Sequence, residues 1–428
     1  MMYKFLIVFA LIFIACNQKE NKTPKKTQEV EGSFPFRLKD LDPNRPLSAA
    51  MKRSLHQYEA DRFLDNELYS QFKYTKLKGF NYNNGDGTIS RRDPSKVIFE
   101  NGKYYVWYTH RETPTPPMGY DASNDTIPSK DWDLSEIWYA TSTDGFTWEE
   151  QGVAVPRPPK PNPGHRSVTT TDILKFKGKY YLYYQAFDHQ SGNGKDICPV
   201  AMSYADSPDG PWTALNKVVI DFGKENEWDH LVIHDPYPLV HDGKIYIYYK
   251  SGFEDKDANG KRWDGAGVAI ADNPEGPFKK HPLNPVMNSG HETSLFPYKE
   301  GVAALVTTDG LEHNTVQYAK DWVNFEIASV VDMIPIAAGP FSKDAFTDSK
   351  NADGITWGLS HFINAGWNHK QFYSELMRFD CDLSKSTNDP SMKQSYNYLH
   401  PDVFYARELN EKQLERIKKE NEAVLNGK

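Results

Sequence analysis

The chain has 428 residues, a formal net charge of -8 and an aromatic content of 14%, so it is long enough for a large buried core and for more than one domain. The negative charge, without a basic block, argues against nucleic acid or an anionic membrane surface as a partner, and a mean hydropathy of -0.69 excludes a polytopic membrane protein. The aromatic excess favours β-sheets and pockets that stack on sugar rings.

The N-terminus resembles a bacterial lipoprotein signal. An apolar run, Phe5–Ala15, is too short to span a bilayer and ends at Cys16, after which the sequence turns polar. We therefore expect residues 1–16 to be a lipoprotein-type signal that ends at the lipobox cysteine, Cys16 to become the lipidated first residue, and residues 17–40 to form a flexible tether. The protein would then be exported and anchored by its lipid in the periplasm or outer membrane of a Gram-negative bacterium. Plain secretion stays open, because Phe13 stands where Leu is usual.

A helical arm is predicted over residues 41–78, between the tether and the body of the protein. Its central stretch, residues 46–73, lacks glycine and has apolar residues at helical spacing, with Ser48 as the expected N-cap. The arm lies outside the repeat pattern that follows. It therefore packs either on the flank of its own chain or on a partner subunit.

A unit of two strands returns four times within residues 79–385. The copies begin at Arg91, Thr169, Val232 and Gly290. Each has a polar head, a short apolar run, a turn that contains glycine, and a second strand. Such recurrence is typical of blades that cannot bury their own faces singly. With a last blade suggested by residues 354–380, the sequence predicts an all-β fold, a five-bladed β-propeller.

The heads of the units carry acidic residues. Because the heads of successive blades converge on the axis of a propeller, Asp93, Asp172, Asp235 and Glu292 are expected to meet in one pocket. Clustered carboxylates there suggest acid/base hydrolysis of a sugar. Asp93, which follows two arginines and precedes a proline, has the form of an ionised base. Asp235 is a candidate to orient the sugar or to tune the pKa of the acid, and the acid is either His291 or Glu292.

Other residues near the predicted inner-strand ends are candidates for sugar contact or for structural support. They are Arg92, His110, Trp138, Arg166, Thr169, Asp172, Gln185 and His234. Trp138 and Gln185 are the stronger candidates, because an apolar platform and a neutral amide are what sugar pockets use. The histidines and cysteines form no metal-binding motif, so no cofactor is expected, although a structural cation in the central channel stays open. Cys198 and Cys381 remain for one disulfide or for two free buried thiols.

Three features together resemble glycoside hydrolase family 117, the α-1,3-(3,6-anhydro)-L-galactosidases. The segment Ser48–Arg53 is similar to the Ser-x-Ala-x-x-Arg motif of that family's helical arm. The third and fourth units open with His-Asp-Pro and Gly-His-Glu-Thr, as in the family. The order of arm, propeller and a C-terminal segment, residues 386–428 with a charged helix over 406–424, covers the whole mature chain.

The resemblance implies a specific reaction. The enzyme would act on agar-derived oligosaccharides, removing 3,6-anhydro-L-galactose from the non-reducing end of neoagaro-oligosaccharides by inverting hydrolysis. It implies Asp93 as the general base, Asp235 as a supporting carboxylate, and His291 as an unusual general acid with Glu292 beside it.

The resemblance also implies a homodimer, in which Ser48, Ala50 and Arg53 belong to an arm that is exchanged between subunits. Two rival interpretations remain from the residues themselves. One is an α-L-arabinofuranosidase or β-xylosidase with the same architecture. The other is a surface lipoprotein that binds glycans without cleaving them, which the retention of three acidic heads makes the weaker of the two.

Overall fold

The computed structural model describes residues 32–55, 67–192, 196, 198–256, 262–310, 312–363, 373–393, 414–415, 417 and 419. The expected signal, the lipidation at Cys16 and most of the tether lie outside the described residues. Helices in the described part of the chain are short: α1 (Ala49–Ser54), α2 (Pro390–Lys393) and 3-10 turns at Leu38–Asp40, Asn83–Gly85 and Tyr120–Ala122. None of them is long and apolar enough to cross a membrane.

Strands are the main regular structure of the described chain, and three antiparallel sheets follow one another in order. Strand β1 (Lys73–Lys76) precedes them and pairs elsewhere. The first sheet contains β2 (Ile89–Arg92), β3 (Ile98–Glu100), β4 (Lys103–Glu112), β5 (Glu136–Ser142) and β6 (Glu149–Val155). The second contains β7 (Ser167–Phe176), β8 (Lys179–Phe187), β9 (Val200–Ala205) and β10 (Thr213–Ile220). The third contains β11 (His234–His241), β12 (Lys244–Lys256), β13 (Arg262–Ala271) and β14 (Lys279–Lys280).

The remaining strands form a two-stranded ribbon and one larger sheet. Their bounds are β15 (Ser289–His291), β16 (Ser294–Lys299), β17 (Gly301–Val306), β18 (Thr308–Gly310), β19 (Thr315–Ala319), β20 (Glu326–Val330), β21 (Gly339–Pro340), β22 (Ala352–Ile363) and β23 (Ser374–Ser384). The ribbon is β15 with β18. The eight-stranded sheet has the order β1-β23-β22-β16-β17-β19-β20, with β21 paired to β22. The N-terminal strand β1 thus joins the C-terminal strand β23.

Hydrophobic clusters fill the space between successive sheets. Trp107 of the first sheet shares one such cluster with Leu182 of the second, and another returns from Trp357 of β22 to Tyr108 of β4. Because the central strands pack on neighbours with both faces, their sequences are nearly continuous apolar and aromatic runs. The all-β class is confirmed. The number of blades stays a prediction, since the strands expected for the fourth and fifth blades share one sheet.

Two parts of the predicted helical arm are described, residues 41–55 and 67–78. Ser48 caps α1, as expected, by accepting a hydrogen bond from the Met51 backbone N–H. The helix ends at Ser54, and Glu67–Phe72 is not helical. The predicted helix is therefore wrong at its C-terminal end, because Lys73 belongs to β1, whose pairing with β23 overrides local helix propensity.

The predicted C-terminal helix is described at four positions only. Leu414, Glu415, Ile417 and Lys419 are all helical. Lys419 and Glu415 are one turn apart and form an exposed ion pair with an N–O distance of 3.4 Å.

Candidate active site

Five chain segments reach a common cavity, each through a residue with left-handed backbone. These residues are Asp93, Thr170, Asp235, Glu292 and Ala337, with φ between 45° and 54°. All five line one open cavity. Non-glycine residues in this region are strained and cluster at functional sites. The structure therefore brings together the predicted acidic heads of the first, third and fourth units.

The second unit is different, because its matching position holds Thr170 and not the predicted Asp172. Asp172 also lines the cavity, but its carboxylate forms a buried ion pair with the Lys96 ammonium. That ammonium lies 3.7 Å from the ring centroid of Tyr237. Burial raises the pKa of Asp172, although Lys96 acts against it, and burial lowers the pKa of Lys96 to about 8 against the opposing effect of Asp172. Asp172 is thus held in a structural pair.

The Asp93 carboxylate is held by three donors. Its Oδ2 accepts hydrogen bonds from Arg92 Nε at 2.9 Å, Thr170 Oγ1 at 3.1 Å and Thr109 Oγ1 at 3.3 Å. Its buried Oδ1 accepts none from the described residues. Burial alone would raise the pKa of Asp93, but Arg92 and His361 outweigh it and the pKa is lowered. Asp93 is therefore an ionised carboxylate with one oxygen left for another donor.

Arg92 links the carboxylates of two units, which gives it a role other than the predicted sugar contact. Besides Asp93, it donates through Nη2 to Glu292 Oε1 at 3.0 Å, and its Nη1 lies 3.7 Å from Asp131 Oδ2. The guanidinium also lies 5.0 Å from the ring of Trp132. Burial opposes its charge, but the surrounding carboxylates raise the pKa of Arg92. The Arg92 guanidinium therefore offsets part of the negative charge of the carboxylates around it.

Glu292, Asp235 and His291 form a second group, of which Glu292 and Asp235 line the cavity. The Glu292 backbone N–H donates to Asp235 Oδ2 at 2.9 Å. Burial raises the pKa of Asp235, with His291 and Lys250 partly offsetting it. The His291 Nε2 lies 3.7 Å from Glu292 Oε1, and the His291 side chain is 37% exposed where that of Glu292 is 8% exposed. His291 is thus the open member of the group.

His361 belongs to the site, although no sequence pattern singled it out. Its Nδ1 accepts a hydrogen bond from the Asp93 backbone N–H at 3.1 Å, and its Nε2 lies 3.8 Å from Glu292 Oε1. Burial lowers the pKa of His361, more than the neighbouring Glu292 raises it. A neutral ring that accepts at Nδ1 carries its proton on Nε2. Thr109 and Thr170 were missed in the same way, because their partners are distant in sequence.

A cation could be held at this site by three of these groups. Asp93, Glu292 and His361 each place one possible ligand atom within 4.8 Å of the others. Arg92 already contacts both carboxylates, so part of the negative charge of the pair is offset by a residue of this chain. The structural cation in the central channel, which the sequence analysis left open beside the expectation of no cofactor, is not tested by these contacts.

Two predicted sugar contacts, His110 and Trp138, pack against each other. Their rings are stacked with centroids 4.0 Å apart. Burial, with Arg91 adding to it, lowers the pKa of His110 to about 3. Trp138 packs on the cluster of β4 and β22 that contains Trp357. Neither is among the described residues that line the cavity, because this face of the first sheet turns towards a neighbouring sheet.

The other candidates for sugar contact each bind a residue of this chain. Arg166 forms a bidentate pair with Asp133 at 2.7 Å for both contacts. The remaining contacts are Thr169 Oγ1 with Thr170 Oγ1 at 3.3 Å, Gln185 Nε2 to Cys198 Sγ at 3.4 Å, and His234 Nε2 with Asp196 O at 2.6 Å. These groups support the segments around the cavity. Cys198 and Cys381 are free and buried. Of the two alternatives for these cysteines, the structure therefore has two free thiols and not a disulfide.

Comparison with known proteins places this arrangement in a family. The model of glycosyl hydrolases family 43 matches residues 88–261. No curated protein matches the chain. Among solved structures, Zg3597, a family 117 glycoside hydrolase from the marine bacterium Zobellia galactanivorans, is 61% identical, with 81% of this chain and 100% of that chain covered and a TM-score of 0.75. The chain belongs to glycoside hydrolase family 117.

Other similar structures inform the fold alone. The catalytic domain of a family 62 α-L-arabinofuranosidase from Coprinopsis cinerea is 10% identical, with 74% of this chain and 99% of that chain covered and a TM-score of 0.50. The family 117 chain therefore shares its propeller-type architecture with hydrolases of other families, and it is a glycosidase by its own family membership.

Proposed function

We propose that this family 117 protein is an exo-acting, inverting α-1,3-(3,6-anhydro)-L-galactosidase that acts on the non-reducing end of neoagaro-oligosaccharides. Asp93 is the general base, Asp235 the supporting carboxylate and His291 the general acid. The observation that supports this proposal most is the state of Asp93, which is ionised and accepts three hydrogen bonds. It lies in the same cavity as Asp235 and Glu292. A base must be unprotonated to take a proton from the attacking water.

The proton donor is assigned to His291 on the contacts of its neighbour. Glu292 accepts a hydrogen bond from Arg92 and is held in place by it, which suits a residue that orients others. His291 is more exposed and its Nε2 lies beside that carboxylate. A half-exposed imidazole next to a carboxylate can give a proton near neutral pH. In this scheme the proton moves from His291 to the leaving oxygen, while Asp93 takes one from water.

We expect His291→Ala to lower kcat by about 10²-fold on neoagarobiose, because general acid catalysis contributes at least this much. On an aryl 3,6-anhydro-α-L-galactoside with an acidic phenol the loss should be much smaller, since that leaving group departs without a proton. Glu292→Gln is the comparison. Suppose that His291→Ala keeps normal turnover and that the loss in Glu292→Gln depends on the leaving group. Glu292, and not His291, would then be the general acid.

Incubation of the mature protein with neoagarobiose, followed by NMR, tests the reaction itself. We expect release of 3,6-anhydro-L-galactose and D-galactose. In added methanol an inverting enzyme forms no methyl glycoside, because no glycosyl-enzyme is present to be intercepted. A methyl glycoside would refute inversion. Cleavage of an aryl α-L-arabinofuranoside in place of neoagarobiose would refute the substrate and favour the arabinofuranosidase alternative.

The remaining sequence-based predictions stand as proposals of the same kind. Five blades are supported by the five left-handed segments that line the cavity. Export with a lipid on Cys16 rests on the sequence. For the proposed homodimer, Ser48, Ala50 and Arg53 of the single chain bind that chain's own residues, so exchange of the arm between subunits would replace these contacts by equivalent ones.

A further inference from the structure

The ribbon that carries His291 is a short pair of strands beside β13. Its strands β15 and β18 pair with each other through Ser289 with Gly310 and His291 with Thr308, and with no other named strand of the described chain. A two-stranded pair is marginally stable alone. Met287 bridges to Ala266 of β13, and Thr307 Oγ1 donates to the His291 carbonyl at 3.0 Å. Besides these contacts, the position of His291 depends on what holds the ends of the ribbon.

The arm helix α1 holds the residue that leads into β15. Asn288 is 5% exposed, and both ends of its amide bind the arm. Its Nδ2 donates to the Ala50 carbonyl at 2.8 Å, and its Oδ1 accepts from Ser54 Oγ at 2.5 Å. Since Asn288 directly precedes β15 and is three residues from His291, the helix fixes the start of this strand.

The arm also holds the chain on the other side of the ribbon. Arg53 forms a bidentate pair with Glu312, which follows β18, at 2.6 and 2.9 Å. The two side chains are 7% and 10% exposed, so the pair is shielded from solvent screening. Arg53 also donates to the Phe325 carbonyl at 2.8 Å, and Ser48 Oγ donates to the Pro285 carbonyl at 2.7 Å.

Close packing leaves the ribbon little freedom between these contacts. A Cβ on Gly290 would lie 2.5 Å from the Gly265 carbonyl oxygen, and one on Gly310 would lie 2.1 Å from Ser289 Oγ. A displacement at Asn288 is therefore expected to reach His291 and not to be absorbed between them.

We propose that the arm is a positioning element of the active site, which holds His291 in place through Asn288 on one side and Glu312 on the other. The inference rests on the proposed function, in which His291 is the proton donor. Ser48, Ala50 and Arg53 would then have a second role besides subunit contact, because all three form hydrogen bonds with the segments on either side of the ribbon.

Asn288→Ala tests this directly, because it removes both amide contacts without touching the cavity. We expect kcat on neoagarobiose to fall about 10-fold with KM nearly unchanged, since small misplacements of a catalytic group are costly. The loss should shrink on the aryl glycoside with an acidic phenol. The matched control is Lys52→Ala, an exposed residue of the same helix, which should behave as the unchanged protein. Ser54→Ala removes one contact and should show a smaller effect in the same direction, which keeps the test valid should Asn288→Ala fail to fold.

A second readout is independent of turnover. In protein labelled with ¹³C-histidine, the signal missing from His291→Ala identifies that ring. We expect its resonance and its titration to change in Asn288→Ala and in Ser54→Ala, and not in Lys52→Ala. Unchanged kcat and an unchanged resonance in both contact variants would overturn the positioning role. If the protein without substitutions does not hydrolyse neoagarobiose, the proposed function is refuted. The His291 resonance would still decide whether the arm positions that residue.

Discussion

Replacing Asp93 by asparagine is expected to reduce kcat by about 10³-fold to 10⁴-fold, the upper range for loss of a general base. The amide keeps an oxygen that can accept from Arg92 and Thr170, as the carboxylate does now. It cannot take a proton from water. Sugar binding, measured by calorimetry with neoagarobiose, should therefore stay close to that of the unchanged protein.

Asp93→Ala extends this test to the stereochemistry. The smaller side chain leaves room for azide, which needs no base and attacks the anomeric carbon as the leaving oxygen takes its proton from the acid. Azide should restore turnover and give a glycosyl azide of inverted configuration. Asp242→Asn, which removes an exposed carboxylate, controls for the change in net charge. Residual hydrolysis near the unchanged rate in Asp93→Asn would remove Asp93 as the base.

Lys96→Met is expected to destabilise the protein by about 3–5 kcal/mol, because it leaves the buried Asp172 carboxylate without its cation. Lys96 and Asp172 are 1% and 3% exposed, so solvent cannot take over the charge. Asp172 Oδ1 keeps its hydrogen bonds from the Lys96 and Ile173 backbone N–H groups, both 2.8 Å, and the methionine fills most of the lost volume. Denaturant unfolding at neutral pH measures the difference.

The pH dependence of this variant has a definite sign. Burial raises the pKa of Asp172 and Lys96 opposes this, so loss of the lysine raises that pKa further. The folded state then binds a proton that the unfolded state has already lost. The stability of Lys96→Met should be greatest below the ordinary pKa range of an aspartate and should fall as the pH rises through the raised pKa.

Lys96→Met combined with Asp172→Asn is the control for that effect. The asparagine keeps an acceptor for the two backbone donors and carries no charge. Much of the stability should return, and the added pH dependence should disappear. A single variant as stable as the unchanged protein at neutral pH would show that the pair contributes little to the fold.

The sequence by itself determined the features that depend on neighbouring residues. Apolar runs predicted the strands of each unit, a turn that contains glycine predicted where its two strands join, and Ser48 predicted the N-cap of α1. Recurrence of the unit predicted that Asp93, Asp235 and Glu292 would line one cavity. These inferences succeed because hydrogen bonding along a strand, a turn or a helix end is local.

Only the tertiary structure decided how the charges of that cavity are paired. The partners are far apart in the chain: Arg92 and Glu292 by 200 residues, and Asp93 and His361 by 268. No local pattern separates Asp172, which is held by Lys96, from the acidic heads it resembles in sequence. The same holds for Trp138, whose ring packs between sheets. The packing of the sheets determines which side chains come into contact. Local patterns in a single sequence do not contain that geometry.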